Sequence, residues 1–233
     1  MSRRNRREFL VSGLTLGTWM VLSGKGYGKS RLKVQDTEKL TLFEVFHKRR
    51  SVRKFKSTPV PEEHIRKILD AARMAPTAGN QQPWKFLVIR DRAKLDKLKK
   101  ACIDNSLKYF KSQGKPTEKQ IAEREQKAEE YYSDCLSAPV YIVVLTDNKS
   151  KYPTYNQHDG PLAAGYLMLA ARALGYGTVY FTDSIPDNVT RDVFQIPERY
   201  KRICITPVGI PQEWPDSPKK KDLKELIVYD TFS

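Results

Sequence analysis

Apolar residues recur along this chain in two rhythms. Ile65, Ile68, Leu69 and Ala72 stand at i, i+3, i+4 and i+7, which is one face of an amphipathic helix. Pro61 suits the first turn of that helix, where its missing N–H leaves no bond unmade. Leu42, Phe43 and Phe46 form a shorter stripe of the same kind and predict a short helix over 40–48. Trp84 to Ile89 has strand character, and Val140 to Thr146 is apolar nearly throughout, fit for a strand buried on both faces. Thr178 to Phe181 and Ile203 to Val208 are two further strand candidates. From Leu162 to Leu174 the chain is apolar nearly all round apart from Arg172, which marks a buried helix that Gly175 and Gly177 end. Residues 92–101 read as helical. Residues 103–134 are polar, charged and dotted with aromatics, with a break at Gly114-Lys115-Pro116. They read as an insertion over the core, two helices with a break, able to serve as a lid that orders on ligand. Helices interleave with strands, so the expected class is α/β or α+β, with helices packed around a sheet. No Gly-x-Gly-x-x-Gly follows a strand, which disfavours a Rossmann dinucleotide site.

Composition narrows the class. With 39% hydrophobic and 30% charged residues, the chain is neither a disordered tail nor a polytopic membrane protein. Cys102, Cys135 and Cys204 lie too far apart in sequence for a zinc finger, an iron–sulfur site or a disulfide scaffold. The net charge is +15, of which residues 1–33 supply +7. A nucleic-acid patch would explain the remainder, but a single anionic cofactor or a plain solvated surface would as well. No helix-turn-helix, RNA-recognition or zinc-finger signature is present, so no nucleic-acid partner is expected.

The basic start concerns targeting. Arg6-Arg7-Glu8-Phe9-Leu10 opens fifteen uncharged residues, Phe9 to Ser23, which is short for a membrane span. A basic segment followed by a short, mildly apolar core is a secretory layout, and the arginine pair followed by Phe9-Leu10 resembles a twin-arginine export signal. Residues 1–32 are therefore expected to be a targeting segment read by the twin-arginine (Tat) machinery. The remaining domain, 33–233, is expected to act outside the cytoplasm, in the periplasm.

Four clusters carry candidate chemistry. Arg49-Arg50-Ser51-Val52-Arg53-Lys54-Phe55 offers three guanidinium groups and a hydroxyl at a helix end, able to grip a phosphate or simply to be a charged, solvated end. Ala75-Pro76-Thr77-Ala78-Gly79-Asn80-Gln81-Gln82-Pro83-Trp84 is rich in small residues that let a flat ring approach, or is a structural loop. In it Pro83 disfavours helical backbone at Gln82, so the loop is expected to enter the strand extended. Asp159-Gly160 opens the buried helix, where free amides could face an electron-rich group. Lys219-Lys220-Lys221 precedes Leu223, Leu226 and Ile227 near the C-terminus; such a triplet alone is usually a solvated surface.

Together these motifs resemble the FMN-dependent nitroreductase family over residues 41–230. Gly160, the run Leu167 to Thr178 and Pro207-Val208-Gly209-Ile210-Pro211 extend the likeness. The resemblance implies an α+β fold, a mainly antiparallel central sheet wrapped by helices, in an intertwined homodimer with FMN at its interface. It implies that Arg49, Arg50, Ser51 and Arg53 come from one subunit, Arg49 and Ser51 on the phosphate or ribityl end and Arg53 on the pyrimidine edge. Lys220, with Lys219 or Lys221, would close on the phosphate. Pro76, Thr77, Ala78 and Asn80 would come from the partner subunit. Asp159 and Gly160 would lie near flavin N5, and Tyr180, Phe181 and Thr182 would line the ring. The implied activity is that of a flavoprotein oxidoreductase working by a ping-pong cycle. Electrons would pass from NAD(P)H or another donor to a nitroaromatic, quinone or similar acceptor, with no side-chain nucleophile. Two other readings fit the same motifs: a reductive dehalogenase resembling iodotyrosine deiodinase, and a non-catalytic flavin-binding protein.

Overall fold

A computed structural model describes residues 40–232. Residues 1–32, expected to be a targeting segment, lie outside the described residues. The elements in chain order are α1 (Leu42–Lys48), α2 (Glu62–Ala72), β1 (Trp84–Ile89), α3 (Arg92–Ser112), α4 (Glu118–Cys135), β2 (Val140–Asp147), α5 (Asn156–Ala173), α6 (Asp187–Phe194) and β3 (Tyr200–Val208). The three strands form an antiparallel sheet in the order β1-β2-β3. The fold is α+β.

β2 is the centre. Val140 to Thr146 are all buried, and successive side chains alternate between two apolar clusters. Tyr141, Val143 and Leu145 pack with Leu95, Leu98 and Cys102 of α3 and with Ala128, Tyr132 and Cys135 of α4. Val140, Ile142 and Val144 pack with Ile65, Ile68 and Ala72 of α2 and with Ala164, Leu167 and Ala171 of α5. The sheet is thus sandwiched between two helical layers.

The stretch 103–134 is built into this arrangement. The helix expected over 92–101 runs on to Ser112, and α4 follows after a break at residues 113–117. Asp91 caps α3, and a Thr117–Gln120 capping box starts α4. Ile103, Ala128 and Tyr132 enter the core beside β2, and the rest of both helices is largely exposed. The two helices with a break are as expected, and the many charges of this stretch lie on the solvent faces of an amphipathic hairpin.

One expectation is corrected, and one is filled in. Thr178 to Phe181 makes two isolated bridges, Ser51 to Thr178 and Phe181 to Ile205, rather than a strand. The stripe on α1 faces outward: Leu42, Phe43 and Phe46 are 64%, 74% and 51% exposed, and Val45 is the residue that turns into the core.

β3 contains a bulge. Val144 faces Cys204 and Leu145 faces Arg202, so Ile203 is the extra residue. It puts Ile203 and Cys204 together on the α2/α5 side. Gly160 of α5 meets this bulge: a Cβ there would stand 2.4 Å from Ile203 Cγ1 and 3.0 Å from Thr146 Cγ2. Gly160→Ala should therefore cost about 1–3 kcal/mol, as overpacking does. Urea unfolding should show this as a lower midpoint. Ile203→Ala removes the obstructing atoms, so the double variant should lose less than the sum of the single variants.

Candidate functional site

The arginine segment leaves α1 abruptly. A Thr41–Glu44 capping box fixes the helix start, and Arg49 is already extended at φ −65°, ψ 133°. From there the chain is clamped on two sides. Val52 N–H donates to Thr178 O at 2.9 Å, Lys56 N–H to Ile210 O at 2.9 Å, and Gln212 N–H to Lys54 O at 3.1 Å. Val52 and Phe55 are buried at 1% and 3%, so Ser51, Arg53 and Lys54 are turned outward. Gly177 permits the close approach, since a Cβ there would lie 2.8 Å from Val52 Cβ. Arg50 folds back and donates to His47 O at 2.5 Å and Arg49 O at 2.8 Å. None of Arg49, Arg50 and Arg53 pairs with a carboxylate among the described residues, and Arg49's guanidinium makes no hydrogen bond there. The lysines beside them are neutralised, Lys48 by Glu44 at 3.5 Å and Lys54 by Asp134 at 3.0 Å. Open guanidinium donors with an exposed serine hydroxyl fit a phosphate monoester.

The second cluster closes on α5. Gly79, Asn80 and Gln82 take positive φ of 53°, 52° and 47°. Gln82 is therefore left-handed rather than extended as expected. The loop folds back on itself, and Gln82 N–H is captured by Thr77 Oγ at 3.2 Å. Asp159 is 4% exposed, and its carboxylate accepts from Ala78 N–H at 3.1 Å and Gln81 Nε2 at 2.7 Å. Gln81 also donates to Tyr152 O at 3.1 Å and accepts from Tyr152 N–H at 2.7 Å. The buried carboxylate thus ties the loop to the start of α5, and Pro76 and Asn80 remain exposed on its outer surface. α5 begins at Asn156, so Gly160 stands in its second turn and not at its free amide end.

The other predicted residues separate. Phe181 is 2% exposed in the core, and its main chain exchanges hydrogen bonds with Ile205 at 3.0 and 3.1 Å. Tyr180 is half-buried on the α5 side, where burial pushes its phenol up to about 12. Thr182 is exposed, and its carbonyl accepts from Arg202 Nη2 at 2.7 Å. Lys219, Lys220 and Lys221 lie exposed, and no hydrogen bond or ion pair joins them to other described residues. Within one chain the structure therefore does not bring them to the arginines.

Two organising residues escaped sequence reasoning. Gln81 was passed over for its neighbours, because its partner Asp159 is 78 positions away. Arg202 sits in β3 with a 5% exposed side chain. It donates to Ile185 O at 2.7 Å and Thr190 Oγ at 3.1 Å, and pairs with Asp187 at 3.0 Å. It thereby fixes the loop that carries Thr182. No local pattern signals either residue.

A helix-wrapped antiparallel sheet, with a corner of unpaired arginines beside a pinned small-residue loop, defines the class of nitroreductase-like proteins. The chain belongs to the Nitroreductase family, whose profile matches residues 47–210, and membership makes it an oxidoreductase. It is 33% identical over 190 residues to a Methanothermobacter thermautotrophicus protein provisionally named an NADH dehydrogenase/NAD(P)H nitroreductase, covering 79% of this chain and 83% of that one. It is 31% identical over 194 residues to an iodotyrosine deiodinase of Thermotoga neapolitana, covering 82% and 98%. Among solved structures, oxidized iodotyrosine deiodinase bound to FMN and 3-iodo-L-tyrosine superposes with a TM-score of 0.64 at 25% identity, over 82% of this chain and all of the other.

The tie through Asp159 gives a direct expectation. Asp159→Ala leaves the Ala78 N–H and the Gln81 amide without their acceptor, at a cost of about 1–3 kcal/mol. Hydrogen exchange should speed up at Ala78 and its neighbours before any change in the sheet.

Proposed function

We propose that this protein is a homodimeric, FMN-dependent oxidoreductase that passes electrons from NAD(P)H or another donor to a nitroaromatic, quinone or similar acceptor. The observation that carries this reading is the set of three arginines and Ser51 at 49–53, gathered on one clamped segment and without acidic partners among the described residues, while the lysines on either side, Lys48 and Lys54, are paired. FMN supplies hydride and electron transfer when bound. Arg49 and Ser51 hold its phosphate or ribityl end by charge-assisted hydrogen bonds. Arg53 brings positive charge to its pyrimidine edge. Arg50, spent on its own helix carbonyls, steadies the corner. The loop 76–80, pinned by Asp159, presents a rigid wall of small residues.

The homodimer completes this arrangement. Family members are typically homodimeric. Leu42, Phe43 and Phe46 of α1, with Leu162 and Tyr166 of α5, are exposed apolar residues on two helices in contact with each other. Leu226, Ile227, Val228 and Tyr229 are exposed near the C-terminus as well. Clustered exposed apolar surface of this kind marks an interface. A second copy covers it and brings its own loop, and Lys220 and Lys221, to the first copy's arginines.

A second reading, reductive dehalogenation of a halogenated aromatic, is favoured by the deiodinase relative matched over 98% of its own length. Release of iodide from diiodotyrosine under dithionite selects it. Turnover of nitroaromatics with NAD(P)H and no iodide release selects the first, and a protein that turns over with no donor–acceptor pair is a flavin binder only.

The purified protein should be yellow, dimeric and stoichiometric in FMN. Arg49→Ala should weaken FMN binding by about one to two decades, the size of a lost hydrogen bond to a charged group. A colourless monomer that ignores added FMN would overturn the reading.

Export is part of the proposal and rests on residues 6–10. Flavin is made in the cytoplasm, and separate chain segments must converge to hold it, so a route that carries folded, loaded protein suits this domain. The pair is read as guanidinium, which lysine does not replace. Arg6→Lys with Arg7→Lys should strand yellow, folded protein in the cytoplasm, as cell fractionation would show. Unchanged export would reduce the pair to a basic lead-in.

A further inference from the structure

Arg172 stands in the last turn of α5, an otherwise apolar stretch, where the free helix carbonyls favour positive charge. The fold sets it against the end of a second helix. Arg172 Nε donates to Lys48 O at 3.2 Å, a carbonyl at the C-terminal end of α1, where the helix itself supplies no donor. The guanidinium carbon of Arg172 also lies over the Trp214 ring, 4.0 Å from its centre, as a cation–π contact. Two helix ends and the C-terminal stretch of the chain thus meet at one half-buried guanidinium.

The Lys48 carbonyl belongs to the peptide that leads into Arg49. The peptide on the other side of Arg49 is held as well, since Arg50 Nη1 donates to Arg49 O at 2.8 Å. The Arg49 N–H itself donates to Val45 O at 3.0 Å. Both peptide planes that flank the Arg49 Cα are therefore pinned, and with them the direction in which its side chain leaves the backbone. A small rotation of either peptide would be magnified along so long a side chain. Arg50 belongs to the same segment, whereas Arg172 braces it from the layer beneath. The far end of the segment is secured from the C-terminal stretch too: Gln212 N–H donates to Lys54 O at 3.1 Å and Gln212 Nε2 to Phe55 O at 3.3 Å. Residues 48–55 are thus strung between two fixed points, Gln212 at one and Trp214 behind Arg172 at the other.

We propose that Arg172 is a positioning residue for Arg49 and that Trp214 holds its guanidinium in place. Arg172 acts through the backbone of Arg49 rather than by contact with the flavin. The role rests on the FMN reading above, in which Arg49 takes the phosphate or ribityl end. It calls for arginine in particular. A planar guanidinium donates along one edge while its face stacks on a ring, and the ammonium of lysine does not combine the two.

The test is FMN affinity of the purified full chain, by fluorescence titration, in a double-mutant cycle. Arg172→Ala should weaken FMN about tenfold, the scale of a hydrogen bond to a charged group. In an Arg49→Ala background the same substitution should matter by less than about twofold, because its effect passes through Arg49. Arg172→Lys should not restore affinity, whereas Trp214→Phe, which keeps a ring face, should stay within about twofold of the parent. Effects of Arg172→Ala and Arg49→Ala that multiply in full, or complete rescue by Arg172→Lys, would each overturn the proposal. Trp214 is 39% exposed, so Trp214→Leu carries the same cycle if Arg172→Ala does not fold. It should weaken FMN by roughly threefold, as a partly exposed cation–π pair does, and only where Arg49 is present. Hydrogen exchange at the Arg49 amide, followed with FMN in excess, separates the two readings. It should speed up in Arg172→Ala while the β2 amides hold. Faster exchange in a chain that takes up no FMN fails the flavin reading alone, and unchanged exchange in a chain that binds FMN fails this one alone.

Discussion

Residues 140–146 reach no solvent on either side, and a strand with two dry faces requires a helical layer on each. Here α3 and α4 cover one face and α2 and α5 the other. The close seating of α5 depends on Gly160, which has no side chain to hold the helix off Ile203 and Thr146. Asp159 is the next residue back, so its carboxylate is carried to a fixed height above the sheet. That carboxylate in turn holds Ala78 and Gln81. The loop proposed to face the flavin is thus positioned by how closely one helix approaches the sheet.

The acids and bases of the site are used in opposite ways. Asp159 is buried and consumed by hydrogen bonds within the chain. The arginines at 49, 50 and 53 are left without counter-charges among the described residues. Like charges held close on a clamped segment repel one another, and a dianionic ligand removes that repulsion. The fold therefore contributes rigidity through its buried acid, and in the proposed site its unneutralised bases would contribute the affinity.

Much of this was legible in the sequence because the signals were local. The unbroken apolar run at 140–146 announced a buried strand, the period at Ile65, Ile68, Leu69 and Ala72 announced α2, and the arginines were conspicuous in one short motif. Signals that depend on distant partners were not legible. The bond from Gln81 to Asp159 joins a loop to the first turn of α5 across 78 positions, and neither segment signals the other. The charge on α3 and α4 masked an apolar edge of only a few residues, Ile103, Ala128 and Tyr132 among them. The stripe on α1 was read correctly as an apolar face, but periodicity gives no information on whether the cover comes from the same chain.

The extra residue in β3 also sets which way its neighbours point. In an unbroken strand Arg202 and Cys204 would share a face. With Ile203 inserted, Arg202 is on the α6 side with Ile205, its guanidinium on Asp187, Ile185 and Thr190, while Cys204 turns toward α5. Chain length at this point is therefore a matter of parity. Removing the extra residue would leave Arg202 on the side of Ile205, because the two would then alternate with a single residue between them; what a regular strand could not keep is Ile203 and Cys204 together on the α5 side, where Gly160 meets Ile203.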